Sequence, residues 1–171
     1  MADLLDSVLD MYNVRLNTLG IVLQRKYVPD LDLYCFAGEL RQVIANLVSN
    51  AMDATAGGGR LIVCARKSKD WVHPQREGVR ITIADTGTGM NAEVRDRLFE
   101  AFFTTKGATG TGLGLWVSHE IILKHHGIVH VRSREGMGTV FQLFFPDDEE
   151  LTREVAAEAQ ATAEAQAAAK A

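Results

Sequence analysis

The chain of 171 residues is short of cysteine, has no long apolar run and carries no excess of positive charge. Its two cysteines, Cys35 and Cys64, lie in apolar, strand-like runs without spaced partners and read as reduced core thiols in a cytoplasmic setting. No apolar stretch approaches the roughly 18 residues of a membrane span, and no signal-peptide pattern opens the sequence. Membrane contact by this domain is therefore not expected, although upstream segments of a longer protein could anchor it. Eighteen Lys and Arg stand against 22 Asp and Glu, a formal net charge of −4. That balance argues against broad electrostatic nucleic-acid binding, so an anionic ligand would need local donors or a metal. What remains is ordinary: 47% hydrophobic residues in a chain that suits one globular domain with a real core.

Glycine is not scarce, and its placement is uneven. The stretch GATGTGLGLW (107–116) sets glycines at 107, 110, 112 and 114 before an apolar, helix-like run. It lacks the Gly-Lys-Ser/Thr ending of a Walker A loop, having Leu113-Gly114-Leu115 there. It also lacks the G-x-G-x-x-G spacing of a dinucleotide fingerprint. By itself the loop decides nothing.

Periodicity organises the rest. Leu4, Leu5, Val8, Leu9, Tyr12 and Leu16 recur at helical spacing, so 3–19 starts as an amphipathic helix. GIVLQRKY and LDLYCF read as two strands divided by a turn at Val28-Pro29-Asp30. A long helix follows from about Gly38 to Ala56, stopped by Gly57-Gly58-Gly59. RLIVCARK and VRITIADT are further strands joined by a polar loop containing Trp71 and Pro74. Asn91 is an N-cap candidate for a short helix, NAEVRDRLFEAF. A helix LGLWVSHEIILKHH ends at Gly127, and strands IVHVRSR and TVFQLFF meet through a turn at Glu135-Gly136-Met137-Gly138. From Asp147 the composition turns to Ala, Glu and Gln, as expected of a frayed helix or linker end. The order predicts an α+β fold: one mixed, largely antiparallel sheet with helices on one face.

Three stretches carry chemistry. In ELRQVIANLVSNAMDA (39–54), Leu40, Val43, Ile44, Leu47, Val48 and Ala51 share one face. Glu39, Gln42, Asn46, Ser49, Asn50 and Asp53 share a narrow opposite arc. Much of that arc is a solvated stripe, but Asn is a poor helix-interior residue, and Asn46 and Asn50 stand one turn apart. Their carbonyl oxygens suit Mg²⁺, which borrows its remaining ligands from water and phosphate. In ITIADTGTGMN (81–91), a strand ends in Asp85 with Gly87 and Gly89 just beyond it. A carboxylate is acceptor-only, so it can be an ordinary turn residue or the partner of a donor such as an adenine amine. In LFEAFFTTKGATGTGLGL, Phe99, Phe102 and Phe103 anchor a glycine-rich flap, whose Gly112 and Gly114 present N–H groups at a helix start.

Together, in this order and spacing, these stretches resemble the catalytic ATP-binding domain of bacterial sensor histidine kinases, a member of the GHKL superfamily. ELRQVIANLVSNAMDA resembles the family's N box, DTGTGM its G1 box, LFEAFFTTK its F box, GTGLGL its G2 box and GMGTVFQLFFP its closing strands. The resemblance spans roughly Gly20 to Pro146 and implies a two-layer α/β sandwich of the Bergerat type. Residues 1–19 would then be a helix or linker from a dimerisation domain and 147–171 a tail.

The resemblance implies ATP and Mg²⁺ as ligands. Asp85 would accept from adenine N6 with Thr139 nearby, Asn50 would ligate Mg²⁺, and Asn46 and Asp53 would lie beside the phosphates. Gly87 and Gly89 would pass under the base. Thr105, Lys106, Gly110, Thr111, Gly112, Leu113 and Gly114 would form the lid and phosphate cradle. The implied reaction is γ-phosphoryl transfer to a histidine. In hydrolysing relatives a Glu occupies the position of Asn46; an amide cannot act as that base, so water attack should be slow.

The acceptor histidine is missing. Ser118-His119-Glu120 looks similar to the acceptor motif, but no proline follows, and it is not H-E-x-x-H because Leu123 stands in the last position. His119 is expected as a plain helix residue, His125 and His126 as C-terminal capping groups, and His73 and His130 as surface or strand residues. The expected partners are the kinase's own histidine-bearing dimerisation domain and then a response regulator, with this chain a monomer. Two alternatives stay open: a serine kinase of the anti-sigma-factor type, and a nucleotide-binding interaction module without catalysis.

Overall fold

A computed structural model describes residues 1–27, 30–107 and 110–148, with 152, 153, 155–157, 160 and 161 of the tail. The first two residues of the predicted turn at 28–30, and most of the tail, lie outside the described residues.

The longest helix follows its apolar face. It runs from Ala37–Ala54 (α3) and buries Leu40, Val43, Ile44, Leu47, Val48 and Ala51, the predicted face, together with Met52. Full burial of each large side chain is worth about 1.5–3 kcal/mol, so this face commits the helix to the sheet. Ahead of it come α1 (Ala2–Met11), the helix with which this segment is expected to start, and α2 (Asn13–Thr18), separated from it at Tyr12. Leu5, Val8, Leu9 and Leu16 join the same core as α3.

Five strands form one sheet: β1 (Ile21–Tyr27), β2 (Gly59–Lys69), β3 (Glu77–Asp85), β4 (Ile128–Arg134) and β5 (Gly138–Pro146). Their spatial order is β1-β2-β3-β5-β4. β1 runs parallel to β2, and the other three pairings are antiparallel. This is the mixed, largely antiparallel sheet expected. Its inner face (Leu61, Val63, Ile81, Ile83, Phe141, Leu143) is buried under the helices, giving the two-layer sandwich.

The strand predicted at 31–36 does not form. β1 instead finds its partner across α3, in β2, because a parallel pairing with a helical crossover covers both apolar surfaces at once. Leu31 is buried all the same, and the Phe36 N–H donates to His125 Nε2 at 3.1 Å. The helix expected over 91–102 is cut to α4 (Ala92–Asp96), with Asn91 Oδ1 capping the Val94 N–H at 2.9 Å. The turn beyond it ends at Phe102, in the left-handed region at φ 66°. The next helix, α5 (Gly114–Lys124), stops earlier than the expected run to His126. The left-handed residue there is His126, at φ 51°, and not Gly127.

Both cysteines are free and half-buried. Burial pushes the Cys35 thiol up, whereas Cys64 is on the outward face of β2, which corrects the expectation of a core thiol.

Candidate nucleotide-binding site

The sheet register brings the separate motifs together. β3 and β5 pair so that Asp85 lies opposite Thr139. The Thr139 N–H donates to Asp85 Oδ1 at 3.2 Å, and the Gly87 N–H donates to the same oxygen at 2.8 Å. Oδ2 is left without a hydrogen-bond partner among the described residues. Asp85 is only 8% exposed, and burial pushes its carboxyl above the ordinary aspartate range, while the Gly87 and Thr139 N–H groups pull the other way. A buried acceptor with one committed oxygen and one uncommitted oxygen is a recognition group for a donor.

The loop after Asp85 is pinned from both sides. Thr88 N–H donates to Ala54 O at the end of α3, and Gly136 N–H from the β4–β5 turn donates to Thr88 O at 2.7 Å. A Cβ on Gly87 would stand 2.5 Å from the Ala54 backbone, and one on Gly89 would stand 2.1 Å from Arg134 O. Backbone packing therefore already demands these two glycines.

Sequence reasoning missed Ser133. Its hydroxyl lies 2.9 Å from Thr139 Oγ1, donates to Gly138 O and accepts from the Met90 N–H at 2.8 Å. The available signal was the alternation of β4, which turns Ser133 inward between Arg132 and Arg134.

On α3, Asn46 and Asn50 do different things. Asn46 Nδ2 donates to Gly114 O at 3.0 Å and to Ser118 Oγ at 3.1 Å, fastening the start of α5 to α3. Asn50 Oδ1 accepts from Lys106 Nζ at 2.7 Å. Lys106 also meets Asp53 Oδ2 at 2.5 Å, and Arg15 from α2 meets Asp53 Oδ1 at 2.5 Å. Arg15 was not foreseen, since nothing local marks its reach to α3. Asn50 Oδ1 and the Asp53 carboxylate are hard oxygen donors that already face an ammonium, a set whose chemistry fits Mg²⁺ supplemented by water and phosphate.

The lid folds against its own stem. The Phe102 N–H donates to Gly112 O at 3.0 Å. Thr104 Oγ1 accepts from the Lys106 N–H, and a Cβ on Gly110 would meet that hydroxyl oxygen at 2.2 Å. Thr105 and Thr111 are exposed, while Leu113 precedes α5 as its N-cap position. Gly114 opens α5 against the Asn46 amide, with ordinary room for a Cβ. Thus Asp85, Gly87, Gly89 and Thr139 cluster at one point. Asn50, Asp53 and Lys106 cluster at another, and Asn46 joins α3 to the lid end.

The histidines sit apart from this chemistry. His119 lies on α5 and stacks on Phe99 at 4.7 Å. His125 is buried: its Nε2 accepts from Phe36, which assigns the proton to Nδ1, the nitrogen facing Ile121 O at 2.8 Å. It closes the C-terminus of α5, as expected. His126 pairs with Asp148 at 2.8 Å. His73 is exposed and His130 lies on β4.

The raised Asp85 carboxyl predicts a pH effect. A donor ligand needs the ionised form, so affinity for an ATP analogue should fall as pH drops through a range above that of an ordinary aspartate. The folded chain also holds this proton more tightly than the unfolded one. Stability from this group is therefore greatest at low pH and is lost as pH rises from the ordinary aspartate value through the raised one. Calorimetric titrations and thermal melts across that range, beside Asp85→Asn, check both; the variant should lose the Asp85 component of each profile.

The family model described as histidine kinase-, DNA gyrase B-, and HSP90-like ATPase matches residues 37–149. Among curated proteins, sporulation kinase E of Bacillus subtilis is 36% identical over 147 residues, covering 85% of this chain and 19% of that protein. The sensor histidine kinase ZraS of Escherichia coli is 42% identical over 107 residues, covering 63% of this chain and 21% of that protein. The chain thus spans about a fifth of the length of these relatives. Among solved structures, the catalytic domain of histidine kinase ThkA aligns with a TM-score of 0.72 at 28% identity, covering 85% of this chain and 92% of that one. Full-length ShkA in complex with AMPPNP aligns with a TM-score of 0.70 at 29% identity, covering 84% of this chain and 30% of that one.

Proposed function

Because the chain belongs to the histidine kinase-, DNA gyrase B- and HSP90-like ATPase family, we propose that it is the catalytic domain of a sensor histidine kinase. It binds ATP and transfers the γ-phosphoryl group to a histidine on a separate dimerisation domain, from which a response regulator then takes it. The observation that carries this reading is the buried Asp85 carboxylate, whose Oδ1 is committed to two backbone N–H groups while Oδ2 has no partner among the described residues. In this reading Oδ2 accepts from the adenine amine, and Thr139 and Ser133 hold the surrounding polar floor.

Asn50 and Asp53 line the phosphate side, and Lys106 turns from them to the phosphates when nucleotide enters. The backbone N–H groups of the lid from Gly110 to Gly114 face the γ-phosphate. Magnesium, when bound, neutralises phosphate charge, with Asn50 Oδ1 as its protein oxygen. The imidazole nitrogen attacks the γ-phosphorus as the bond to the ADP oxygen breaks, and preorganised donors stabilise the spreading charge. Asn46 carries no basic group, and its Nδ2 is spent on Gly114 and Ser118, so activation of water there is poor. That disfavours hydrolysis and favours a protein acceptor.

The deciding experiment mixes the purified chain with a sensor-kinase dimerisation domain supplied in trans, γ-labelled ATP and Mg²⁺. The expected product is a labelled dimerisation domain that loses its phosphate in acid, keeps it in alkali and is absent with chelator. An acid-stable product would assign the serine-kinase alternative. Nucleotide binding with no transfer to any supplied acceptor would assign the interaction module.

None of the described helices is long and apolar enough to cross a membrane.

A further inference from the structure

The sheet has a second face, turned away from the helices, that the nucleotide site does not use. Strand alternation and register put Lys26, Arg60, Arg66, Arg80, Arg132 and Arg134 on it. Arg25, one residue from Lys26, turns to the helix side and pairs with Asp6 and Asp10, which fixes the sense of the alternation. The position of Trp71 agrees: it stacks on His130 at 5.5 Å and lies 4.3 Å beneath the Arg80 guanidinium, with Phe144 at its edge. No Asp or Glu occupies an outward position on any of the five strands.

One-third of the chain's 18 basic residues therefore share one surface of a protein whose net charge is −4. None of the six makes an ion pair among the described residues. The ion pairs of Arg15, Arg25, Lys69, Arg76, Arg95, Arg97, Lys106 and Lys124 all lie elsewhere. Two of the six face each other directly, Arg66 opposite Arg80 on an antiparallel pair. Like charges in that position are destabilising. Burial, and then the neighbouring Arg66 charge, pushes the Arg80 guanidinium below its usual range, and Arg80 Nε is buried without a hydrogen-bond partner. Arg80 Nη2 donates to Lys69 O at 2.9 Å, so what a carboxylate from outside would relieve is the like-charge opposition of Arg66 and Arg80.

Between the cations the floor is low and half-buried, with Ile62, Cys64, Ala84 and Val140 on adjacent strands. At the usual strand spacing and rise, the face from Lys26 to Arg132 and from Arg60 to Arg66 measures about 20 Å each way. That length matches about three to four turns of helix. Nucleic acid fits less well, since the one outward-facing indole already has Arg80 and His130 as its neighbours. A lipid surface fits less well too: Val22, on the edge strand β1, is the one large apolar side chain that the strands expose on this face, and the rest of its apolar floor is half-buried.

We propose that this outer face is a docking surface for an acidic amphipathic helix of a partner protein, whose small apolar stripe lies on Ile62, Ala84 and Val140 while flanking Asp and Glu side chains engage the six cations. The inference is independent of the phosphotransfer reading.

The test uses two synthetic helical peptides of 14 to 16 residues with the same Ala/Leu stripe, one flanked by Glu and one by Lys, titrated into isotopically labelled protein. The Glu peptide should shift backbone amides of Arg60–Arg66, Arg80 and Arg132, and its affinity should fall at least tenfold between low and high salt. The Lys peptide should bind at least tenfold more weakly. The double variant Arg66→Glu, Arg132→Glu should lose at least tenfold in affinity for the Glu peptide. ATP-analogue binding should stay the same in that variant. Arg66→Glu alone should melt no lower than the parent, because it turns a like-charge pair with Arg80 into an attractive one, which separates lost docking from lost folding. Absence of shifts on these strands would overturn the proposal. So would equal binding of the two peptides, or displacement of the Glu peptide from this face by a 20-nucleotide single strand or by phosphatidylserine vesicles.

Discussion

Asp85→Asn should weaken binding of a non-hydrolysable ATP analogue at least tenfold, about 1.4 kcal/mol, with the fold intact. The reason lies in how the two oxygens are used. Oδ1 accepts from the Gly87 and Thr139 N–H groups, so an asparagine must keep its carbonyl oxygen there. Its NH₂ is then forced into the position of Oδ2. In the proposed pose that sets donor against donor, the adenine amine facing an amide N–H. The variant loses one hydrogen bond and buries an unmatched donor in its place, and a buried unsatisfied polar group alone costs about 1–3 kcal/mol. The exchange is nearly isosteric and removes a carboxylate that burial already disfavours, so the ligand-free melting temperature should not fall. Titration calorimetry with a melt as control checks this. Wild-type affinity in the variant would remove Asp85 from the nucleotide site.

Gly112→Ala should leave the core standing and cripple the lid. Gly112 sits at φ 67°, and a Cβ there would lie 2.4 Å from the carbonyl carbon of Phe102 and 2.6 Å from its oxygen. Alanine in the left-handed region costs about 1–2 kcal/mol before any clash is counted. The clash is with backbone, which cannot swing aside as a side chain can. Relief requires breaking the bond from the Phe102 N–H to Gly112 O, the clasp that closes the lid stem. Because the lid lies outside the buried core of α3 and the sheet, unfolding should shift little. Nucleotide affinity and the rate of transfer to a supplied dimerisation domain should each fall by a factor of ten or more. Gly107→Ala is the matched control. It too is left-handed, at φ 57°, but nothing stands within 4 Å of its Cβ. A variant at 107 that did equal damage would point to general lid strain and away from the Phe102–Gly112 clasp.

Different parts of this molecule are legible in its sequence to different degrees. The α3 face was fully readable, because an amphipathic helix writes its burial into its own spacing: all six expected residues are buried. Asp85 and its glycines were readable as a strand end followed by a turn. The cap at Asn91 was readable because its Oδ1 needs only the N–H three residues on. Readings failed where the outcome depended on a distant partner. The apolar run at 31–36 has strand-like composition, yet β1 takes β2 as its neighbour and leaves that run unpaired. The helix predicted to Phe102 stops at Asp96, because the segment beyond must turn to clasp the lid. Asn46 looked like a phosphate-side residue and also fastens two helices, which no local pattern announces.

The sequence by itself determined the helix faces, the strand alternation, the motif order and the family, since each is written in spacings of a few residues that backbone geometry converts into direction. Tertiary structure alone decided which strands are neighbours and which side chains meet. Arg15 and Lys106 converge on Asp53 across 38 and 53 residues of chain. Ser133 meets Thr139 because the β4–β5 hairpin sets that register. Six cations scattered along four strands become one surface, without ion pairs among the described residues, only when the sheet forms. The physical reason is the same in each case. Periodicity fixes which way a residue points, whereas the identity of what it points at depends on long-range pairing that buries the most apolar surface.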